Sequence, residues 1–389
     1  MDWRSVAPRP EDGGADALTE DACAVVAAGN FGPTRAALAI ASELPLWVDF
    51  AGDPFAEAQA GAARAREAGD TDAAEVIAAE ASSVFVPALC RADAIGAVSA
   101  RGRLATLGAL GAIGRLARTD AAEDLVHVVP IAASFGFDPA AVRHALPERK
   151  TRALRVALFG SFNTWFDEEG LADGLLAAMG RMWAVGGLIE VVVTGGAVEG
   201  HFGTGYGAFR RRMDASPHAE RVDYRGWVDH DALPPILSTC DVAICMDRPG
   251  AEPELGSRTR VLYALLLGLR VLATPRTELV RDLVADGLVT PVERATLADV
   301  LVTLAEAINR NWSDAEPPVA HHLAARYSVR ATTAPLRRWA AAPRRIPPTP
   351  DARTLLSLTA ERDALRVELA TLRASPTWKT LDRIRKHLP

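Results

Sequence analysis

The feature that most constrains this chain is the alternation of short apolar runs with amphipathic stretches between about residues 152 and 312. The runs have the length of strands and lack polar alternation, which is typical of strands buried on both faces. They are Leu154–Phe159, Ile189–Thr194, Val222–Trp227, Asp241–Met246, Arg270–Thr274 and Leu288–Val292. Because helix-length stretches connect them through short links, the pattern predicts a doubly wound, Rossmann-like parallel sheet over residues 151–312.

The first 150 residues show the same alternation more weakly. The candidate strands are Ala24–Ala28, Leu46–Phe50, Ile95–Ser99 and Val126–Val129. The candidate helices are Pro33–Ser42, Ala56–Ala68, Thr71–Ala81 and Arg101–Leu116. We therefore expect a second Rossmann-like domain over residues 1–150. A total of 389 residues is short for two complete α/β domains and a tail, so we expect the N-terminal domain to lack one or more βα units.

The alternation ends at about residue 313. Pro317 and Pro318, together with the segment RRIPPTPD, predict a Pro/Arg-rich crossover and linker over residues 313–350. A helix is expected from Ala352 to Ala374, within a basic tail over residues 351–389. The spacing of Leu358, Leu365 and Leu372 by seven is coiled-coil-like, although three heptads are marginal alone. This helix either packs on its own protein or contacts a second copy or a partner.

The C-terminal residues combine an aromatic side chain with an excess of positive charge. The basic residues after Trp378 are Lys379, Arg383, Arg385 and Lys386, with Asp382 the one acid. Such an end suits the anionic surface of a membrane, and it equally suits a solvated tail.

Composition and charge exclude several classes of protein. The net charge of −6 argues against general nucleic-acid binding. The four cysteines form no CxxC pair or Cys/His cluster, so neither a disulfide framework nor a metal site is expected. The sequence contains no apolar run of about 18 residues that is free of charge, so no spanning helix is expected. The polar N-terminus does not resemble a signal peptide. We expect a cytoplasmic protein, with membrane association through the tail as an option.

Ligands of open parallel sheets bind beyond the carboxyl ends of the strands, so the loops there hold the candidate site residues. The substrate-binding candidates are Gly160, Ser161, Asn163, Thr164, Thr194, Gly195, Gly196, Gly226, Trp227 and Asp247, with Asp49 and Asp53 in the N-terminal half. Glycines permit close backbone approach, hydroxyl and amide groups suit phosphates or sugars, and an indole suits a nucleobase. Ordinary turns, a packed aromatic residue and an Asx-type turn are the alternatives.

The loop from Asp247 to Arg260 is the most informative. It leaves a buried strand and enters a helix at about Ser257, where free amides suit a diphosphate. Arg258 and Arg260 lie in the first turn, where the helix dipole disfavours cations, which hints at function. Alternatively, Arg258 or Arg260 forms an ion pair with Asp247, Glu252 or Glu254. Glu254 is a candidate for holding sugar or ribose hydroxyls.

Together, VALFGSFNTW, VVVTGG, VDYRGWV and ELGSRTRVLYALLLGLRVLAT resemble the donor-binding half of GT-B glycosyltransferases, most closely family 4. The resemblance covers about residues 150–310, and weaker matches such as LPLWVDFAGDPFAEAQA extend it into the N-terminal half. It implies two Rossmann-like domains and transfer of a sugar from a nucleotide diphosphate sugar to a hydroxyl group. The acceptor would be a glycan or lipid, in bacterial surface glycan or glycolipid synthesis. The implied reaction retains the anomeric configuration and needs no metal and no cofactor, the nucleotide sugar being a co-substrate.

On this reading Arg258 and Arg260 form the catalytic clamp, with Glu254 as the sugar or ribose anchor. Two departures stand out: Tyr263 occupies the place of the family's second glutamate, and GSFNTWFDEEG lacks the family's usual Arg and Lys. They leave open a catalytically impaired homologue that acts as a partner or scaffold subunit. A nucleotide-sugar epimerase, for which His201 is the nearest histidine, is a third alternative.

Overall fold

The structure is a computed structural model that describes residues 22–41, 43–118, 122–133, 153–197, 205–309 and 321–380. His201, the prolines at 317 and 318, and the basic side chains expected at 383, 385 and 386 lie outside these ranges.

The N-terminal half contains a parallel sheet with the order β1-β2-β3-β4. Its strands are β1 (Val25–Ala28), β2 (Leu46–Phe50), β3 (Ala94–Ala97) and β4 (Val126–Val128). The connecting helices are α1 (Gly32–Ile40), α2 (Pro54–Glu67), α3 (Thr71–Arg91), α4 (Ala100–Ala112) and α5 (Ala122–Leu125), with a 3-10 turn at Arg115–Arg118. All four predicted strands form. Within the described residues they follow chain order, so this sheet shows no reversal of the strand order.

The C-terminal half contains a six-stranded parallel sheet with the order β10-β9-β8-β5-β6-β7. Its strands are β5 (Leu154–Ser161), β6 (Ile189–Gly196), β7 (Val222–Gly226), β8 (Val242–Cys245), β9 (Arg270–Ala273) and β10 (Val289–Pro291). The strand order reverses between β5 and β8, as expected for a doubly wound sheet. Two parallel-sheet α/β domains are therefore present, in agreement with the predicted fold class.

Helices cover both sides of the second sheet and continue to the C-terminus. They are α6 (Glu168–Ala184), α7 (Gly205–Asp214), α8 (Leu233–Ser238), α9 (Ala251–Leu255), α10 (Thr259–Leu266), α11 (Glu278–Ala285), α12 (Leu297–Asn309), α13 (His321–Arg326), α14 (Val329–Thr332), α15 (Ala334–Ala341) and α16 (Pro350–Ala374), with 3-10 turns at Ala219–Arg221 and His230–Ala232. The sequence predicted neither α9 nor the helices α13 to α15, of which α9, α13 and α14 contain only four to six residues.

Two glycine positions were predicted as loops and belong to strands. Gly160 and Gly195 are register partners of β5 and β6, with φ values of +86° and +91°. A Cβ atom on Gly195 would lie 2.3 Å from the carbonyl oxygen of Gly160. Only glycine permits this approach, so the paired strands continue two residues beyond their apolar runs.

Helix α3 is ten residues longer than predicted and contains Pro87. By length and composition alone it could cross a membrane, which the sequence analysis had not anticipated. In the structure it carries the buried core side chains Val84, Phe85 and Leu89 of the N-terminal half. Core helices of globular domains pass the same test, so this helix gives no indication of a membrane.

The segment after α14 returns to the N-terminal half. The ring of Trp339 in α15 lies 5.6 Å from that of Trp47 in β2. Asp93 accepts hydrogen bonds from the backbone amides of Leu46 and Ile346, at 2.8 Å and 2.5 Å, and from the Arg91 guanidinium at 2.9 Å. One buried carboxylate thus joins a strand, the end of a helix and the returning C-terminal segment.

Replacing Asp93 tests this junction. Its side chain is 0% exposed, so Asp93→Ala leaves a buried guanidinium and two amides without their acceptor. We expect the free energy of unfolding in urea to fall by about 3 kcal/mol. Glu80→Ala removes an exposed ion pair with Arg35 and should change it by about 0.5 kcal/mol or less. Equal effects of both substitutions would show that Asp93 does not hold these segments together.

Candidate functional site

The crevice at the reversal of strand order is formed by the segments that follow β5 and β8. These segments pair with each other: Phe166 and Asp247 form an isolated antiparallel bridge. The amide of Arg248 donates to the carbonyl of Trp165 at 2.8 Å, and that of Asp167 to Met246 at 3.0 Å. This is the place where doubly wound sheets bind their ligands.

Arg258 lies at the centre of a buried ion-pair network. Its Nε is 2.9 Å and 2.8 Å from the two carboxylate oxygens of Asp247. Its terminal nitrogens donate to Glu252 at 3.1 Å and 2.6 Å and to the carbonyl of Ser257 at 2.8 Å. Burial alone would lower the pKa of the guanidinium, but Asp247 and Glu252 outweigh burial and raise it.

The expected clamp role of Arg258 does not fit this arrangement. Two carboxylates already neutralise the side chain, and its donors point at them rather than into the crevice. The alternative foreseen from sequence, an ion pair with Asp247 or Glu252, is what the structure contains. Arg258 and Asp247 therefore act here as residues that shape the loop.

Arg260 is the cation that faces the carboxyl end of β5. Its Nη2 donates to the carbonyl of Ser161 at 2.6 Å, and its guanidinium lies 5.5 Å from the centre of the Phe166 ring. The side chain passes over Gly160, where an added Cβ atom would lie 3.5 Å from the guanidinium carbon. Arg260 is only partly buried, so its charge remains accessible at the position predicted for a diphosphate.

Glu254 connects the two halves of the molecule. Its carboxylate binds Arg281 at 2.8 Å and 2.7 Å and forms an ion pair with Arg101 of α4. The hydrogen bond from Arg281 lowers the pKa of the Glu254 carboxyl. Both carboxylate oxygens thus accept from guanidinium groups, and the role of Glu254 as a sugar or ribose anchor stays a prediction.

The N-terminus of α4 docks on the same region of the C-terminal half. The Ser99 hydroxyl donates to the carbonyl of Leu255 at 2.9 Å. The amides of Ala100 and Arg101 each lie 3.1 Å from the carboxylate of Glu278. A carboxylate from the other half thus satisfies the free amides of this helix, which its dipole favours.

A second group of ion pairs between the halves involves Glu168, a buried residue at the start of α6. Its Oε1 accepts from Arg248 at 2.9 Å and from Arg64 of α2. The sequence analysis missed these three residues, because their partners are about 80 and 104 positions away in the chain.

Asp49 and Asp53 both lie at the carboxyl end of β2, and their surroundings differ. Asp53 caps α2 by accepting from the amides of Phe55 at 3.1 Å and Ala56 at 2.8 Å, so the predicted Asx-type alternative describes it. The Asp49 carboxyl is half-buried over Gly96, and burial raises its pKa to about 6. Neither residue touches the Arg258 network.

Glu57, one turn into α2, is the acidic group that sequence reasoning missed. Its Oε2 accepts from the Asn30 amide at 3.1 Å, and its Oε1 occupies the space that a Cβ atom on Gly52 would fill. Burial, then the negative charge of Glu252, raise the pKa of Glu57 to about 7. The available signal was its place in the first helical turn after a strand, at the same sheet edge as Asn30 and Gly52.

The remaining candidates are dispersed along the strand ends. Thr194 is buried, and its hydroxyl lacks a hydrogen-bond partner within the described part of the chain. Gly196 accepts the Phe162 amide at 3.0 Å, and the carbonyl of Asn163 accepts the Phe166 amide at 2.9 Å. The remaining positions are Thr164, which is half-buried, and Gly226, with a φ of +63°.

Trp227 follows β7 with an exposed indole whose Nε1 donates to the carbonyl of Ala197 at 3.0 Å. This bond restrains the indole, which is 60% exposed. Among the described residues, no group of three or more His, Cys, Asp or Glu side chains could hold a metal ion.

No family model and no curated protein matches this sequence. Among solved structures, HepE from Anabaena, in complex with UDP and glucose, matches with a TM-score of 0.50 and 16% identity over 80% of this chain and 76% of that chain. The lipopolysaccharide outer core galactosyltransferase WaaB matches with a TM-score of 0.45 and 13% identity, over 84% of this chain and 77% of that chain. Sucrose-phosphate synthase from Thermosynechococcus elongatus matches with a TM-score of 0.48 and 15% identity, over 90% of this chain and 76% of that chain.

The two parallel sheets, the reversal of strand order in the second and the likeness to HepE define the fold. It is the GT-B fold of glycosyltransferases. At these sequence identities the likeness concerns the architecture.

The Arg258 network makes a prediction about stability. Arg258→Ala leaves Asp247 and Glu252 buried without their cation, so the free energy of unfolding should fall by about 3–5 kcal/mol. Arg260→Ala removes a partly exposed cation and should lower it by about 1 kcal/mol. Urea denaturation of both variants measures the difference. Comparable losses would show that Arg258 does not hold the loop together.

Glu57 predicts a dependence of stability on pH. Its folded-state pKa of about 7 lies above the ordinary value of 4.5, so the folded protein binds more protons between these values. Its contribution is therefore fully present below pH 4.5 and is lost as the pH rises through 7. Glu57→Gln, which cannot ionise, should become more stable than the wild type by about 3 kcal/mol above pH 7.

Urea denaturation at several pH values measures this effect, with the exposed Glu75→Gln on α3 as the control that shows no such trend. A difference between Glu57→Gln and the wild type that is constant with pH would indicate changed packing instead of a changed ionisation.

Proposed function

We propose that this protein is a glycosyltransferase that moves a sugar from a nucleotide diphosphate sugar to a hydroxyl group of a glycan or lipid-linked acceptor. The observation that carries the proposal is the position of Arg260. It is an accessible guanidinium held at the carboxyl end of β5, where the strand order reverses and the two halves face each other. A departing diphosphate needs positive charge at such a place.

The donor is proposed to lie along the ends of β5, β6 and β7. Its diphosphate would contact Arg260 and the segment from Gly160 to Thr164, where backbone and hydroxyl groups can donate. The exposed ring of Trp227 would offer a flat surface for the base. Arg260 would supply part of the positive charge that the leaving diphosphate needs, and from the family resemblance we propose a reaction that needs neither a metal ion nor a further cofactor.

The acceptor is proposed to approach from the N-terminal half, with Asp49 and Glu57 at its edge of the crevice. Both carboxyls have raised pKa values, to about 6 and about 7, so each can exchange a proton with a hydroxyl group near neutral pH. Retention of configuration, a role in surface glycan or glycolipid synthesis, cytoplasmic location and membrane contact through the tail are proposed from the sequence and its family resemblance.

Nucleotide binding tests this function. The HepE structure contains UDP, so UDP is the first ligand to titrate, followed by GDP, TDP and ADP, in isothermal calorimetry with the full chain. Arg260→Ala should weaken binding on the order of 10- to 100-fold, because one charge-assisted contact to the diphosphate is lost. Arg181→Ala, which removes an exposed cation paired with Asp299, is the matched control and should bind normally.

Absence of binding to every nucleotide, or equal binding by the two variants, would rule out the proposed donor site. If a nucleotide binds, the matching nucleotide sugar is the substrate to assay. Release of free sugar from it would establish that the site is catalytic.

A further inference from the structure

Helix α16 has two distinct parts. Its beginning packs against α3, where Ala352 and Thr359 are buried. The part after Thr359 leaves the body of the protein, and nearly every side chain there is exposed. Because the packed turns already form the helix, the protruding turns avoid the cost of helix nucleation.

From Leu358 onward, α16 exposes a stripe of leucines. They are Leu358, Leu365, Leu369 and Leu372, each between 41% and 58% exposed. An isolated apolar side chain on a surface needs no explanation, but a continuous stripe along one helix face indicates a covered surface.

The stripe follows the heptad positions of a coiled coil. Leu358, Leu365 and Leu372 occupy position d, one of the two positions that form the seam of a coiled coil. The a positions are Leu355, Arg362 and Leu369. A charged side chain at one a position lowers the stability of a coiled coil and limits its register and oligomeric state.

The charged residues beside the stripe identify the partner. Glu361 and Glu368 occupy the g positions, and Arg366 and Arg373 occupy the e positions. In a parallel dimer each g residue faces the e residue five positions later on the other helix. Glu361 then faces Arg366 and Glu368 faces Arg373, so every flanking pair is attractive. An antiparallel pair would bring g to g and e to e, which places like charges together.

We propose that the segment from Leu358 to Arg373, which we call the seam, joins two copies of this chain in a parallel, in-register coiled coil. The occupant is a second copy because the seam's own charges complement it. The proposal does not depend on the proposed sugar transfer, since the seam lies outside the crevice. A seam of this length is marginal, which predicts association in the micromolar range.

The contacts within one chain compete little with this pairing. Arg366 lies 3.9 Å from Asp363 of the same helix, and Arg362 also contacts Asp363, at 2.8 Å. These pairs are solvent-accessible and weak. Both arginines can keep or exchange them when a second helix arrives.

The first experiment measures the mass of the full chain by sedimentation equilibrium across the micromolar range. The wild type should shift from one chain mass towards two, and Leu365→Glu should stay monomeric. Val367→Glu is the matched control: Val367 lies on the same helix, is 67% exposed, and occupies the outer f position. Circular dichroism verifies that both variants remain folded. A monomeric wild type, or equal effects of the two substitutions, would overturn the proposal.

The second experiment tests the charge pairing. Glu361→Arg with Glu368→Arg makes the flanks all-basic, and Arg366→Glu with Arg373→Glu makes them all-acidic. Each double variant should be monomeric alone, whereas an equimolar mixture should form a one-to-one dimer. Failure of the mixture to associate would overturn the pairing.

The third experiment fixes the orientation. In a Cys23→Ser background, which removes an exposed native thiol, Leu372→Cys should form a disulfide-linked dimer by itself. A dimer that links only when Leu358→Cys chains are mixed with Leu372→Cys chains would show an antiparallel arrangement. A monomer that instead binds anionic vesicles through Leu365 would identify a membrane surface and refute the proposal.

Discussion

The buried pairing of Arg258 with Asp247 and Glu252 is the interaction on which the rest of the site depends. It links the end of β8, the short helix α9 and the start of α10, and so determines the path of the loop that faces the N-terminal half. That loop presents Leu255 and Glu254 to α4, and Glu252 to Glu57 of α2. One guanidinium among three carboxyl groups leaves excess negative charge, and this excess contributes to the raised pKa of Glu57.

The charges of the crevice therefore divide into two groups. Most cations are used between the halves: Arg64 and Arg248 meet at Glu168, and Arg101 and Arg281 meet at Glu254. The pairs at Glu254 are partly exposed and contribute modestly, whereas Glu168 is 4% exposed, so loss of its cations would leave a buried carboxylate unpaired. Among the described residues of the crevice, Arg260 is a partly exposed guanidinium at the end of β5, which is why it carries the proposed function.

The fold was largely predictable from the sequence. All ten predicted strands form, because a run of buried apolar residues is a local property of the chain. The errors lie where non-local contacts decide: β5 and β6 continue through Gly160 and Gly195 because each strand supports the other, and α3 continues past Ala81 because the core covers it. Of the candidate site, the sequence indicated the loops at the strand ends, but it did not show that Arg258 and Glu254 are engaged in ion pairs.

What the sequence by itself determined was the alternation of strands and helices, the loops that lie at the carboxyl edge of the sheet and the heptad pattern of α16. These depend on spacing along the chain, which secondary structure converts directly into position. Only the tertiary structure decided which charges are free. The sequence does not show whether an arginine side chain faces solvent or a carboxylate from a distant segment. The surroundings of Arg258, Glu254 and Glu57 form only when the chain folds.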